Sequence, residues 1–298
     1  MVETNRSESV LIDGTTQVYG LIGQPVDHTL SPFIHNRLAQ MMGINMTYVP
    51  FPTTAGAVLE AVAGAHALGI RGMNVTVPYK SEVMAGLKQV EKTASGIGAV
   101  NTLVRGEDGF VGYNTDVLGL YRAMTEENIR IQDEAVIVLG AGGAARAAAF
   151  MCGVNGAATI TIMNRSAQKA VELAVEVDRA AGRHCAVGMA IADRVLLPAQ
   201  KYLAIQATSV GLGRHSEEAV ITDPSFYSLV HTGYELIYQP DNTLFMQLVR
   251  AAGGRAYNGL KMLLYQAVQA FELWHQITVP EAFIGTVYQE LIAVLGKR

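Results

Sequence analysis

Three glycines within AVIVLGAGGAAR, residues 135–146, stand where a backbone can grip an anion. Ala135 to Leu139 reads as a short buried strand, and Ala144 to Met151 as a helix. Gly140, Gly142 and Gly143 lie at the turn between them, with Ala141, Ala144 and Ala145 completing a G-x-G-x-x-A spacing. A strand that turns sharply into a helix aims free N–H groups and the positive end of a dipole at one point. The stretch therefore predicts the pyrophosphate site of a dinucleotide; small residues packing a buried helix are the plainer alternative. The next strand, Ala158 to Met163, runs out into Asn164, Arg165 and Ser166, with Lys169 one turn further on. A carboxylate there would accept from a ribose 2′-hydroxyl, whereas two cations suit a 2′-phosphate. Read this way the cofactor is NADP, with NAD as the alternative; solvated surface cations would leave the same pattern. The loop Thr208 to Gly213, Val210 included, follows a later strand and should face the same cofactor.

A second group of reactive types lies in the first 120 residues. Met73 to Val77 reads as a strand on which Asn74 and Thr76 share one face. Pro78 ends it and places Lys80 at the start of the next helix, where the dipole disfavours a cation. Either Lys80 is a surface lysine or it has an anionic partner and a chemical role. Asp116 precedes a helix over Leu118 to Glu127, and capping alone would explain it. Ser31, ahead of Pro32 and a helix to Met42, has the same alternative. Thr29 has no capping role; its hydroxyl lies on a loop at the carboxyl end of a strand, where ligands bind in open α/β sheets. Asn74, Thr76, Lys80, Asn101, Asn114 and Asp116 all fall at strand ends, which points to a gripped polar ligand. Gln266 stands at the edge of the apolar stripe of a helix over Gly259 to Trp274, and is either solvated or aimed at that ligand.

The elements that must position these residues follow from periodicity. Val18–Ile22, Met46–Phe51 and Met73–Val77 read as strands separated by helices over Pro32–Met42 and Ala55–Leu68, hence a parallel sheet. A hairpin over Ala99–Val104 and Phe110–Tyr113 turns at Gly106 to Gly109. Beyond residue 130 the pattern is strand, helix, strand, with weaker strands at Cys185–Ile191, Tyr202–Ala207 and Tyr234–Tyr238 and a helix over Leu244–Ala252. A last helix spans Pro280 to Leu295. The fold class is α/β in two domains: an N-terminal parallel-sheet domain completed by C-terminal helices, and an inserted Rossmann domain.

Bulk composition excludes several functions. Of 298 residues half are hydrophobic and 16% charged, with net charge −4, so neither nucleic acid nor an anionic membrane is an expected partner. Ala135 to Met163 is long and apolar, but its five glycines and change of period read as strand–turn–helix–strand rather than a membrane span. The two cysteines, Cys152 and Cys185, fit a reducing cytoplasm and read as packing residues, and the first thirteen residues lack a signal core. Of the seven histidines only His28 and His35 fall near the proposed site, and none has metal-ligand spacing, so no metal is assigned.

In order along the chain stand GLIGQPVDHTLSPFIHN (20–36), GMNVTVPYK (72–80), GAVNT (98–102), GYNTD (112–116), VLGAGGAARA (138–147), NRSAQKA (164–170), LIYQP (236–240) and NGLKMLLYQA (258–267). With these the chain resembles the shikimate dehydrogenases and the related quinate/shikimate dehydrogenases over nearly its whole length. The resemblance implies a substrate domain of residues 1–116 plus 259–298, a Rossmann NADP domain of 117–258, and an active site in the cleft between them. It implies Lys80 and Asp116 as the catalytic pair, and Thr29 and Ser31 on the substrate carboxylate. Asn74, Thr76, Asn101, Asp116 and Gln266 would bond ring hydroxyls or that carboxylate. Tyr238, Gly259 and Met262 would line the cleft near substrate and nicotinamide. The implied reaction interconverts 3-dehydroshikimate and shikimate by hydride transfer, in aromatic amino-acid biosynthesis, by a cytoplasmic monomer or homodimer. Quinate or a related cyclitol acid with NAD is the alternative, and a non-catalytic NADP sensor a third. Thr29, Val117, Gln206 and Glu235 depart from the family's usual serine, glycine, asparagine and aspartate. Those departures bear on substrate preference more than on the reaction.

Overall fold

The computed structural model describes residues 12–296, the side chain of Arg214 excepted, so most of the segment read for a signal core lies outside the described residues. In chain order it builds β1 (Gln17–Gly23), α1 (Ser31–Met42), β2 (Met46–Pro52), α2 (Val58–Ala67), β3 (Gly72–Val75), β4 (Gln89–Val90), α3 (Lys92–Ile97), β5 (Thr102–Arg105), β6 (Phe110–Tyr113) and α4 (Asp116–Glu126). There follow β7 (Ala135–Leu139), α5 (Gly143–Val154), β8 (Thr159–Asn164), α6 (Ala167–Ala181), β9 (Ala186–Ala190), β10 (Tyr202–Gln206), α7 (Pro224–Tyr227), β11 (Val230–Glu235), α8 (Leu244–Ala251), β12 (Arg255–Tyr257), α9 (Leu260–His275) and α10 (Glu281–Leu295).

Two six-stranded sheets result. The first has order β2-β1-β3-β5-β6-β4 and the second β12-β11-β10-β7-β8-β9. Every pairing in the second is parallel. Its order reverses between β7 and β10, and both of those strands end in the loops expected to face the cofactor. Such a switch point opens a crevice at the carboxyl ends of the strands. The first sheet is parallel across β2-β1-β3 and again at β4-β6, but the β5-β6 hairpin runs antiparallel, also against β3. The expected parallel sheet is therefore mixed, because the hairpin inserts beside β3.

The terminal helices return to the first sheet. Trp274 on α9 donates from Nε1 to the Leu103 carbonyl on β5 at 2.9 Å and lies flush on Gly72 of β3, where a Cβ would meet its ring at 2.3 Å. Arg37 on α1 and Glu290 on α10 form an ion pair at 2.7 Å. α4 and α9 pack at backbone contact: a Cβ on Gly119 would lie 2.7 Å from the Gln266 backbone nitrogen. Only glycine allows that approach, and it brings the first turn of α4 beside the middle of α9. The apolar stretch 135–163 is β7, α5 and β8, and among the described residues no helix is long and apolar enough to cross a membrane. Cys152 and Cys185 are unlinked and buried, and burial pushes the Cys152 thiol up to about 12.

Several elements differ from expectation. β11 covers Val230–Glu235 rather than Tyr234–Tyr238. His231 and Thr232, which interrupt its apolar pattern, bond to each other at 2.9 Å and so tolerate the strand. β3 ends at Val75, leaving Thr76 outside it. β12, α3, α7 and the two-residue β4 carry too little periodicity to stand out in the sequence.

Candidate active site

Lys80 does not open a helix. It lies in the turn after β3, ahead of a 3-10 segment at Glu82–Gly86, so the dipole argument against a cation there does not apply. The turn is anchored on both sides of it. Tyr79 is buried and donates to the Thr53 carbonyl at 2.6 Å, while the Lys80 carbonyl accepts from Val100 N–H at 2.7 Å. The side chain is left to reach inward, and Nζ donates to Asp116 Oδ2 at 2.7 Å.

Asp116 is not a cap either. Thr115 holds the N-cap position of α4, and the Asp116 carboxylate points away from its own helix. It is 5% exposed, and its second oxygen accepts from Asn101 Nδ2 at 2.9 Å. Both oxygens of this buried carboxylate are thus partnered, which a buried charge requires. Asn101 is the hub. Its Nδ2 also reaches Gln266 Oε1 at 3.3 Å, and its Oδ1 accepts from Thr115 N–H at 2.8 Å and Thr102 Oγ1 at 2.9 Å. Asn114 accepts from Asp116 N–H at 3.0 Å and donates to the Ala99 carbonyl at 2.9 Å. The hairpin and α4 are pinned together around the lysine–aspartate pair.

Asn74 extends this wall. Its Oδ1 accepts from Tyr48 Oη at 2.8 Å, and its Nδ2 faces the Asn101 carbonyl at 3.2 Å and Thr102 Oγ1 at 3.1 Å. The Tyr48 hydroxyl also bonds Ser31, and burial holds it well above the ordinary tyrosine range. Ser31 does not cap α1: Leu30 does, with no side-chain bond. The Ser31 hydroxyl instead accepts from Thr29 Oγ1 at 3.2 Å. Two hydroxyls thus stand at the start of a twelve-residue helix whose first turn has no acid, a favourable place for a carboxylate. Thr76 lies close by, with its methyl against Gly23 at the end of β1.

His28 is exposed, whereas His35 is fully buried, stacked on Tyr48 with ring centroids 4.3 Å apart. Burial drives its pKa down to about 3 against a hydrogen bond to Asn74, so it is a neutral packing group. Among the described residues no group of three or more His, Cys, Asp or Glu is placed to hold a metal ion.

Across the cleft, Gly140 takes φ +115° and lies against the Ala207 carbonyl, where a Cβ would stand 3.0 Å away. A position of that φ beside another backbone needs glycine. Around Gly142 the space is open: nothing lies within 4 Å of where a Cβ would be. α5 is twelve residues long, begins at Gly143 without a side-chain cap and has no acid in its first turn. An open cradle at an uncapped helix start fits a pyrophosphate. Ala141 and Ala144 flank it, half-exposed. Just past β8, Arg165 is exposed, as is Lys169 in the first turn of α6, and neither engages a carboxylate among the described residues. Asn164 donates to the Ser166 carbonyl at 3.1 Å, and Ser166 caps α6 by accepting from Lys169 N–H at 3.5 Å.

Sequence reasoning missed what holds the loop after β10. Gln206 is buried; its Oε1 accepts from Thr208 N–H at 2.7 Å and its Nε2 donates to the Val210 carbonyl at 2.8 Å. Beside it on β11, Glu235 is wholly buried, accepting from Ile237 N–H at 3.1 Å and Thr243 Oγ1 at 2.9 Å. Burial raises its pKa from 4.5 to about 7 against those bonds. Both residues stood out in the sequence only as departures from a family pattern. Tyr238 is half-buried beyond β11, Met262 is buried, and Gly259 packs on the Leu236 carbonyl with no room for a Cβ.

The two groups meet. A Cβ on Gly143 would lie 3.6 Å from Lys80 Cδ. The part-buried ion pair of one lobe therefore abuts the first residue of the helix that carries the anion cradle of the other.

Three family models match the chain. Residues 21–103 match the shikimate dehydrogenase substrate binding domain, 123–189 the shikimate / quinate 5-dehydrogenase model, and 259–284 the shikimate 5-dehydrogenase C-terminal domain. A shikimate dehydrogenase (NADP(+)) of Desulforamulus reducens is 38% identical over 286 residues, covering 95% of this chain and 98% of its own length. This chain belongs to the shikimate dehydrogenase family. Among solved structures, a shikimate dehydrogenase in complex with NADP+ superposes with TM-score 0.84 at 32% identity, over 95% of this chain and 98% of that one. A quinate dehydrogenase of Corynebacterium glutamicum in complex with NAD gives TM-score 0.83 at 27% identity, over 93% and 99%.

Proposed function

We propose that this chain is an NADP-dependent shikimate dehydrogenase, interconverting 3-dehydroshikimate and shikimate. In this reading residues 1–116 and 259–298 bind substrate and 117–258 bind cofactor. The reaction runs in the cytoplasm, a compartment in keeping with the unlinked Cys152 and Cys185. The observation that carries the reading is the Lys80–Asp116 pair standing against Gly143 of the glycine loop.

Gly140, Ala141, Gly142, Gly143 and Ala144 would hold the pyrophosphate, and Arg165 and Lys169 the 2′-phosphate. Asn164 and Ser166 would shape that corner, Thr208 and Val210 the loop opposite, and Tyr238, Gly259 and Met262 the nicotinamide end. When bound, NADP supplies a hydride acceptor. The protein manages the proton and the substrate's orientation. Thr29 and Ser31 receive the carboxylate at the start of α1. Thr76 and Gln266 bond ring hydroxyls, while Asn74 and Asn101 fix the wall behind them. The reacting hydroxyl gives its proton to Lys80 Nζ as Nζ passes one of its own to Asp116 Oδ2, leaving the acid neutral and the lysine charged, and both transfers reverse in the other direction.

The test is Lys80→Met. Losing acid–base help should lower kcat by about 10²–10⁴-fold with a smaller change in KM. Removing one partner of a buried pair also weakens the fold by about 3–5 kcal/mol, so rates are taken per folded enzyme below the melting transition. A near-normal kcat would remove Lys80 from the mechanism. Thr29 favours a second reading, on quinate with NAD, because its extra methyl sits where the carboxylate pocket is shaped. One methyl shifts discrimination by about 1–3 kcal/mol. Assaying shikimate and quinate against NADP and NAD separates the two: turnover confined to quinate with NAD supports the second.

A further inference from the structure

Arg146 lies one turn into α5, three residues after Gly143 and on the same helix face. Its side chain leaves its own lobe. Nε donates to the Ile97 carbonyl at 2.8 Å, and Nη2 binds the Glu176 carboxylate on α6. Ile97 ends α3 in the other lobe, and Gly98 closes that helix at φ +70°. Carbonyls at a helix C-terminus carry partial negative charge, so a guanidinium is favoured there. The contact is close: a Cβ on Gly98 would lie 3.0 Å from Nη2, and one on Gly96 would lie 3.3 Å from the Phe150 ring of α5.

From Gly98 the chain runs directly into the reacting pair. The Gly98 carbonyl accepts from Ser81 Oγ at 3.0 Å, Val100 N–H donates to the Lys80 carbonyl at 2.7 Å, and Asn101 holds Asp116 at 2.9 Å. Five successive residues, Ile97 to Asn101, thus connect Arg146 to both members of the pair. Glu176 fixes the guanidinium from within the nucleotide lobe, so its fork presents a defined donor to Ile97.

We propose that Arg146 is a positioning residue: it clamps α5 to the segment Ile97–Asn101 and so sets the distance between the glycine loop and the Lys80–Asp116 pair. The proposal rests on reading that pair as the reacting groups.

The test compares Arg146→Ala, Arg146→Lys and Glu176→Gln for kcat, KM, melting temperature and NADP affinity by calorimetry. Losing the clamp should lower kcat by about 10- to 100-fold, the range of one hydrogen bond to a charged group. NADP affinity should stay within a few-fold of the parent. Lysine, which can satisfy one partner but not both, should recover part of the rate, and Glu176→Gln should lose part of it. Exchange of the Val100 amide should quicken in the alanine variant, a readout that needs no turnover. If NADP affinity drops while kcat holds, Arg146 is a cofactor contact and the proposal falls. It falls too if melting drops while kcat holds. Should the alanine variant not fold, unchanged kcat in the other two overturns it. Should Lys80→Met keep its rate, the catalytic reading fails, while the exchange result still decides whether Arg146 clamps the lobes.

Discussion

Glu235 ties stability to pH in a direction opposite to that of most carboxylates. It is wholly buried at the end of β11, and its pKa rises from 4.5 to about 7 in the folded chain because burial outweighs the bonds from Ile237 N–H, Thr243 and Gln206. Between those two values the native state binds a proton that the unfolded chain has released. Stability from this group is therefore complete below 4.5 and is lost as pH rises through 7. The whole shift corresponds to about 3 kcal/mol, the cost of carrying a buried carboxylate above that window. Glu235→Gln keeps an accepting oxygen and removes the charge. At about pH 4 the variant and parent should melt nearly together; by about pH 8 the variant should be more stable by up to ~3 kcal/mol. At about 2 °C per kcal/mol for a chain of this size, its melting temperature should then be higher by about 6 °C. The assay is thermal melting of both proteins at several pH values, read as the difference, so other titrating groups cancel. A difference that stays flat from pH 5 to 8, or that grows toward acid, would refute the reasoning.

Other consequences are more local. Gly119→Ala places a Cβ 2.7 Å from the Gln266 backbone and forces α4 from α9. It should cost about 1–3 kcal/mol in chemical denaturation and lower kcat as well, since Asp116 rides on α4. Arg165→Glu puts a carboxylate where a 2′-phosphate would lie; KM for NADP should rise by about 10- to 100-fold while that for NAD changes little or falls, checked by initial rates with each cofactor.

How much was legible in the sequence depended on how local each feature is. The strand, turn and helix at 135–151 depend on neighbours within a few residues, and β7 and α5 form where periodicity places them. Pairing of β3 with the β5–β6 hairpin is decided at long range, so no reading of single strands revealed a mixed sheet. Ser31 and Asp116 both matched the statistics of a cap, yet neither caps. Each hydroxyl or carboxylate finds a better partner across space, Thr29 and Tyr48 for one and Lys80 and Asn101 for the other. Gln206 looked like a mere exchange of amides, but its extra reach is what bonds both ends of the Thr208–Val210 turn.

The same contest recasts the cluster of amides that first drew notice. Many polar groups at strand ends suggested that all of them grip a ligand. Asn74, Asn101 and Asn114 instead bond inward, to Tyr48, Thr102, Thr115 and Asp116, and are almost unexposed. A buried amide left unpaired costs about 1–3 kcal/mol, so such residues persist only where the fold or a ligand answers them. Here the fold answers them, and the result is a rigid wall with Lys80, Thr29, Thr76 and Gln266 on its open side. In the proposed reading, an ion pair held on both carboxylate oxygens would need little reorganisation on substrate binding, which is what electrostatic preorganisation requires. On the same reading Asn101 serves the chemistry by holding the aspartate, and Asn74 braces Asn101 from behind.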